Sequence, residues 1–164
     1  MKKAVFLDRD GVINCERGEY NYRIENFTIN EGVIECLKNF QKAGFILIII
    51  SNQGGIAKGI YKKENIEQVH RYLVEVFEKQ GIFLTEIYYC PHHSDIENCL
   101  CRKPDSLLIE KSIARFKINP SESFFIGDKE TDVIAAKKAG LNPVMIKPNE
   151  NLLKYLPEIL KKKR

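Results

Sequence analysis

Five short runs of β-branched and aromatic residues alternate along this chain with segments of helical period: AVFLD (4–8), FILIII (45–50), TEIYY (85–89), SFFIG (123–127) and NPVMI (142–146). Helical spacing puts Val33, Leu37 and Phe40 on one face between Gly32 and Ala43. The same spacing joins Ile66, Val69, Leu73, Val76 and Phe77 over 62–79. Further helices are expected near 106–116, across Val133 to Lys138 ending at Gly140, and in a last segment holding Leu152, Leu153, Leu156 and Ile159. Strands that alternate with helices predict an α/β doubly wound domain, a mainly parallel sheet with helices on both faces. FILIII carries no polar residue, as a strand covered on both sides requires. With no internal repeat and no linker, residues 1–164 are expected to form a single domain.

In such sheets ligands bind beyond the carboxyl ends of the strands. The residues just after the predicted strands are Asp8 and Asp10, Ser51 to Gln53, Cys90 to Lys103, and Gly127 to Asp132, and nearly every unusual residue is among them. In AVFLDRDGVIN, period two projects Asp8 and Asp10 toward one side of the strand end, which is tolerable only near a cation. GDKETD supplies Asp128 from another strand and Asp132 one helical turn later. Three or four converging carboxylates form a hard-oxygen site suited to Mg²⁺. Asp8 is then placed as a nucleophile toward phosphorus, and Asp10 to protonate the leaving oxygen and later activate water.

SNQGG offers the Ser51 hydroxyl, the Asn52 and Gln53 amides and glycine-exposed backbone donors, which suit phosphoryl oxygens. In CRKP, Lys103 can bring an ammonium to the transferring group, and Arg102 can fork onto a second anionic or hydroxylated group. CPHHSDIENCLC carries Cys90, Cys99 and Cys101 with His92, and His93 as a rival ligand, in a C-x-H…C-x-C spacing. One imidazole and three thiolates suit tetrahedral Zn²⁺ with no open position, hence a structural site. Cys15 and Cys36 read as a loop thiol and a helix-core thiol, and His70 as a surface or half-buried residue.

The formal charge of +4 comes from 26 Lys plus Arg against 22 Asp plus Glu, and the last four residues, Lys161 to Arg164, are all basic. The body is therefore neutral, which argues against a nucleic-acid partner and leaves a solvated basic tail. No apolar run has the length of a membrane span, and the charge at Asp8 interrupts any signal-peptide core, so a cytoplasmic protein without a membrane partner is expected. A monomer is expected, since no amphipathic stretch is left over once each helix faces the sheet.

LDRDGVIN, SNQ, CRKP and GDKETD, in this order, resemble the four motifs of the haloacid dehalogenase-like (HAD) superfamily of aspartate-nucleophile phosphatases. The CPH…CxCRKP insert resembles its zinc-containing branch, the D-glycero-D-manno-heptose 1,7-bisphosphate phosphatases and the histidinol-phosphate phosphatases. DGVIN, GVIECL, NQGGIAKG, IYYCPHH and GDK are more similar to the heptose enzymes, whereas the short gap between His92 and Cys99 is nearer the histidinol type.

The resemblance implies a Rossmann-like HAD core and a Mg²⁺-dependent phosphohydrolase. Asp8 would be the nucleophile and Asp10 the general acid/base. Asp8, the backbone carbonyl of Asp10 and Asp128 would hold the metal, with Asp132 behind them. Ser51 and Lys103 would stabilise the phosphoryl group, while Arg102, Lys129 and the loop Glu16, Arg17, Gly18, Glu19 would touch substrate. His92 is the histidine that the resemblance favours for zinc. The implied reaction removes the 7-phosphate of a heptose bisphosphate for lipopolysaccharide-core or surface-layer glycan synthesis. The alternatives are a histidinol-phosphate phosphatase or another small sugar-phosphate phosphatase of the same branch and, from another class, a non-catalytic zinc-binding interaction module. Between Asn14 and Ser51 a helix and a strand take up most of the chain, so no separate cap domain is expected. Residues 15–27 and the zinc loop, about 90–104, would cover the site.

Overall fold

The computed structural model of the chain describes residues 1–161; of the basic tail, residues 162–164 lie outside the described residues. Five parallel strands form one sheet in the order β3-β2-β1-β4-β5: β1 (Lys3–Leu7), β2 (Phe45–Asn52), β3 (Leu84–Cys90), β4 (Phe124–Gly127) and β5 (Asn142–Met145). The chain moves outward from β1 to β3, then crosses back to the other side of β1. The loops after β1, β2 and β4 therefore diverge and open a crevice at the carboxyl end of the sheet.

The helices are α1 (Val33–Lys42), α2 (Lys63–Lys79), α3 (Leu107–Phe116), α4 (Glu130–Lys138) and α5 (Leu156–Lys161). Strand alternation sorts the core into two layers. Val5 and Leu7 of β1 with Leu47 and Ile49 of β2 face one side, where they meet Leu37 and Phe40 of α1, Leu73 and Phe77 of α2, and Ile159 of α5. Ala4, Phe6, Ile48 and Ile50 face the other side and pack on Ile109 of α3 and on Ala135 and Ala136 of α4. Each fully buried aliphatic side chain here contributes roughly 1.5–3 kcal/mol of transfer free energy. Together these layers hold the strand ends in fixed register, which is what the site requires.

The sequence expectation of a five-stranded α/β sheet agrees with the fold. The last helix does not run through: Asn151 accepts the Leu153 N–H and closes a short 3-10 turn over Leu152–Lys154, and α5 begins only at Leu156. Pro157 lacks the N–H that a continuous helix needs there, so the apolar period survives while the helix divides. Between β1 and β2 the described chain holds loops, a 3-10 turn at Ile24–Asn26 and α1, and no folded cap. Among the described residues no helix is long and apolar enough to cross a membrane.

Candidate active site

Asp8 follows β1 directly, and a tight turn follows Asp8. The Arg9 carbonyl accepts the N–H groups of Val12, Ile13 and Asn14, while Gly11 takes φ +89°. A side chain at Gly11 would be strained by that φ and would collide with the Asp128 carboxylate. From the neighbouring strand, Asp128 follows β4, and Asp132 in the first turn of α4 accepts the Lys129 N–H at 3.2 Å. This bond satisfies one of the free donors at the start of α4 and fixes the Asp132 rotamer.

Oxygens of Asp8, Asp128 and Asp132 lie within 4.8 Å of one another, all three residues buried. Lys103 reaches into the group from the far end of the loop after β3. Its Nζ is 2.8 Å from Asp8 Oδ1, 2.7 Å from Asp132 Oδ1, and donates to the Ile50 carbonyl at 2.8 Å. Burial, with Asp132 and Asp128 adding to it, pushes the Asp8 carboxyl up to about 8 against the pull of Lys103. Burial also raises Asp128. Burial alone would lower Lys103, but Asp8 and Asp132 outweigh it and raise it. Both carboxylate oxygens of Asp128 are buried without a hydrogen-bond partner. Unpaired buried charge of this kind is costly. Three hard-oxygen donors, one of them unpartnered, against a single ammonium therefore fit a divalent cation such as Mg²⁺.

Asp10 stands apart from that group. Its carboxylate accepts Arg9 Nη2 at 2.9 and 3.0 Å, Asn14 Nδ2 at 2.9 Å and Gln53 Nε2 at 3.0 Å. Burial would raise its pKa, but the Arg9 guanidinium, with Asn14 and Gln53 as further donors, holds it below the usual carboxylate range. As expected, both carboxylates line one cavity and each sits beside a cation, but the cation differs for the two. The strand ends at Leu7 and the turn at Gly11 rotates the chain, so Asp8 pairs with Lys103 and Asp10 with Arg9.

The expected phosphate-binding segment divides its work. Ser51, almost fully buried at the end of β2, accepts Gln53 Nε2 on its hydroxyl at 2.8 Å. Asn52 spends both ends of its amide on the Lys103 backbone, with Nδ2 donating to the carbonyl at 3.1 Å and Oδ1 accepting the N–H at 3.0 Å. It fixes the segment that carries Lys103. A cavity of about 810 Å³ opens above these groups, within the range of small-molecule sites. Asp8, Asp10, Glu16, Gly18, Glu19, Asn52, Gln53, Arg102, Lys103, Lys129 and Asp132 line it. Arg17 is exposed and, with the buried Ser51 and Asp128, is not part of that lining.

Beside the cavity, ligand atoms of Cys90, His92, Cys99 and Cys101 lie within 4.8 Å of one another. Cys90 Sγ is 3.0 Å from Cys101 Sγ, and His92 Nδ1 is 3.1 Å from Cys101 Sγ. His93, the rival ligand, is turned away: its Nδ1 accepts the Asp95 N–H at 3.1 Å and its ring lies against Gly54. Three sulfurs and one imidazole nitrogen in one cluster fit a tetrahedral zinc. Arg102 Nη1 donates to the His92 carbonyl at 3.1 Å, so a cavity-lining cation hangs directly on this loop.

Sequence reading missed the network behind Asp10. Arg9 is fully buried and also donates to the Asn21 carbonyl at 2.6 Å and to His70 Nε2 at 3.3 Å. His70 is 8% exposed, not a surface residue. Burial and the Arg9 charge lower its pKa to about 3, so it accepts as a neutral ring. A signal was present: position 70 falls between Ile66 and Leu73 or Phe77 on the buried face of α2. Tyr61 was also missed, and its hydroxyl donates to Gln53 Oε1 at 2.7 Å.

A sequence model of the HAD-hydrolase-like family matches residues 100–158. The D-glycero-beta-D-manno-heptose-1,7-bisphosphate 7-phosphatase of Haemophilus influenzae is 40% identical over 146 residues, 86% of this chain and 77% of that protein. The D-glycero-alpha-D-manno-heptose-1,7-bisphosphate 7-phosphatase of Campylobacter jejuni is 38% identical over 144 residues, 88% and 81% of the two chains. Among solved structures, a D,D-heptose 1,7-bisphosphate phosphatase from B. bronchiseptica, complexed with magnesium and phosphate, superposes with a TM-score of 0.84. It shares 25% identity, and the match covers 95% of this chain and 86% of that one. With three of the motifs at strand ends, the fourth on the loop after β3, and relatives of this identity over most of its length, the chain belongs to the HAD-like phosphatases, in the family of the heptose-1,7-bisphosphate 7-phosphatases.

Proposed function

We propose that this enzyme removes the 7-phosphate of D-glycero-D-manno-heptose 1,7-bisphosphate through an aspartyl-phosphate on Asp8. The observation that carries this reading is the Asp128 carboxylate, buried and unpartnered beside Asp8. Such a pair is stable and useful when a divalent cation and a phosphoryl group occupy the crevice. The substrates named for the relatives supply the identity of the ester, and Arg102 and Lys129 in the cavity wall supply cations for a second anionic group.

Asp8 attacks phosphorus, and Lys103, bonded to it, offsets the charge that the nucleophile and the phosphoryl group bring together. Ser51 donates its hydroxyl proton to a phosphoryl oxygen. Asp10, held ionised by Arg9 in the resting site, takes a proton when the dianionic substrate arrives nearby, since a like charge raises a carboxyl pKa. It passes that proton to the leaving alkoxide, and the regenerated carboxylate then activates the water that releases phosphate. A Mg²⁺ held by Asp8, Asp128 and the backbone carbonyl of Asp10 would neutralise part of the phosphoryl charge. Asp132 positions Lys103 behind this group. Glu16 to Glu19, with Arg17 at the outer edge, and Arg102 and Lys129 contact the sugar and its second phosphate, while the Asn52 and Gln53 side chains hold the surrounding groups in place.

A structural Zn²⁺ on Cys90, His92, Cys99 and Cys101 would fix the 90–104 loop and, through the His92 carbonyl, Arg102. The reading includes a single domain over 1–164 working as a cytoplasmic monomer on a small phosphorylated metabolite, without nucleic-acid or membrane partner. Its cysteines, all unpaired, suit a reducing compartment. Steady-state kcat/KM on heptose 1,7-bisphosphate and on histidinol phosphate, measured side by side, tests the substrate. The heptose ester is expected to be preferred by at least about a hundredfold, the discrimination expected when a buried polar site loses its partner. A preference for histidinol phosphate transfers the enzyme to the other substrate with its chemistry unchanged.

A further inference from the structure

Gln53 is 2% exposed and spans two groups of the site. Its Nε2 donates to Asp10 Oδ2 at 3.0 Å and to Ser51 Oγ at 2.8 Å. A side-chain amide can sit in two orientations related by a half-turn. In the orientation present, both amide protons face the catalytic groups. Ser51 Oγ accepts, so its own O–H is left to donate outward to an anion. In the reverse orientation the amide oxygen would face the Asp10 carboxylate, and the Ser51 proton would be drawn back onto Gln53.

The Asp10 carboxylate, which can only accept, takes the Nε2 face of the amide, and Tyr61 holds the opposite, Oε1 face. Its hydroxyl donates to Gln53 Oε1 at 2.7 Å, and burial holds that phenol protonated by pushing its pKa well above the usual range. The ring is itself immobilised: 4% exposed, stacked on Tyr22 with centroids 4.9 Å apart and edge-on to Tyr20 at 5.7 Å. Gly55 leaves the space for it, because a Cβ there would collide with the ring. Tyr20 and Tyr22 belong to the loop whose residues Glu16 and Gly18 to Asn21 line the cavity.

We propose that Tyr61 is a positioning residue for the phosphatase reaction: its hydroxyl anchors the Gln53 amide in the orientation that Asp10 selects, so that Asp10 keeps its donor and Ser51 keeps its proton for the phosphoryl group. Tyr61 also ties the aromatic loop to this alignment, so that ordering of Tyr20 at the cavity wall and orientation of the acid/base are one event. The inference rests on the phosphatase reading above.

The test is a double-mutant cycle with Tyr61→Phe and Gln53→Ala, read as kcat and KM on heptose 1,7-bisphosphate, with a thermal melt of each variant. Tyr61→Phe is expected to lower kcat about tenfold, about 1.4 kcal/mol of barrier, with KM within roughly twofold. In the Gln53→Ala background the same change is expected to cost nothing further. A folded Tyr61→Phe with wild-type kcat, a loss confined to KM, or losses that multiply in the double variant would overturn the proposal. Should a variant fail to fold, NMR of the wild-type protein decides. The Gln53 side-chain amide protons are expected to be resolved and slow to exchange, and rapid averaging of the two contradicts a fixed amide. A wild type without turnover overturns the phosphatase reading instead, while an active wild type matched by Tyr61→Phe overturns only this one.

Discussion

The Lys103 ammonium sits 2.8 Å from the Asp8 carboxylate and 2.7 Å from that of Asp132, with both carboxylates buried. Lys103→Met removes the cation that two acids share. Turnover is expected to fall by about two to three powers of ten, as when a single electrostatic donor is lost from a preorganised site. Stability is expected to fall as well, and the sign of its pH dependence is diagnostic. Without Lys103 the folded-state pKa of Asp8 rises further, and a raised carboxyl destabilises the fold increasingly as pH climbs above its unfolded value. Wild-type Asp8 already sits at about 8, so the further rise shows only around and above that value, and the metal-free variant should lose more melting temperature, relative to wild type, at about pH 9 than at about pH 7. Equal losses at both pH values would contradict this.

Asp128→Asn tests the cation site without relying on activity. The wild type is expected to gain melting temperature as Mg²⁺ is titrated, because an ion that binds only the folded state stabilises it by mass action. The variant should show little such gain. In the metal-free state it should be as stable as wild type or slightly more so, because an unpartnered buried carboxylate has become neutral.

Cys99→Ser, or chelation of zinc, should loosen the loop that holds Arg102 by the His92 carbonyl. The expected result is a KM several-fold higher and a lower melting temperature, with kcat within about threefold, the pattern of lost ground-state binding. Metal analysis of the purified protein should give one zinc per chain. A collapse of kcat with KM and stability untouched would place the zinc in the chemistry.

His70 bears on acid stability. Its folded-state pKa, lowered from 6.5 to about 3, means that the unfolded chain binds a proton that the folded one refuses between those values. Stability is lost as pH falls through that window, at up to about 1.4 kcal/mol per unit. His70→Gln keeps an acceptor for Arg9 and cannot titrate, so its unfolding free energy should depend less steeply on pH between about 6 and 4, as urea titrations would record.

The fold was legible because each strand run and each helical face in this chain is strongly periodic, and the alternation leaves few topologies. The carboxylates, Lys103 and the zinc cluster were legible for a related reason, since all belong to strand ends or to the segments that follow them on the carboxyl side of the sheet. What escaped depended on backbone direction after the strand ends. Period two says nothing of partners once the chain turns at Gly11, so the pairing of Asp8 with Lys103 and of Asp10 with Arg9 was invisible. Arg9 drew no reading of its own, because nothing local announces that an arginine is sealed by Asn21, His70 and Phe27 from distant segments. Tyr61 lies eight residues from Gln53, and only the turn at Gly54 and Gly55 brings its hydroxyl back to the site.

Substituting Asp8 by Asn changes one oxygen into a nitrogen and leaves the volume of the site intact, so it isolates the nucleophile. Phosphate release from heptose 1,7-bisphosphate, followed by phosphorus NMR in the presence of Mg²⁺, is expected to leave the 1-phosphate on the sugar with the wild type. With Asp8→Asn the rate is expected to fall by at least about three powers of ten, as for loss of a covalent nucleophile. A folded Asp8→Asn protein that still releases the 7-phosphate at a rate near wild type would contradict attack by Asp8.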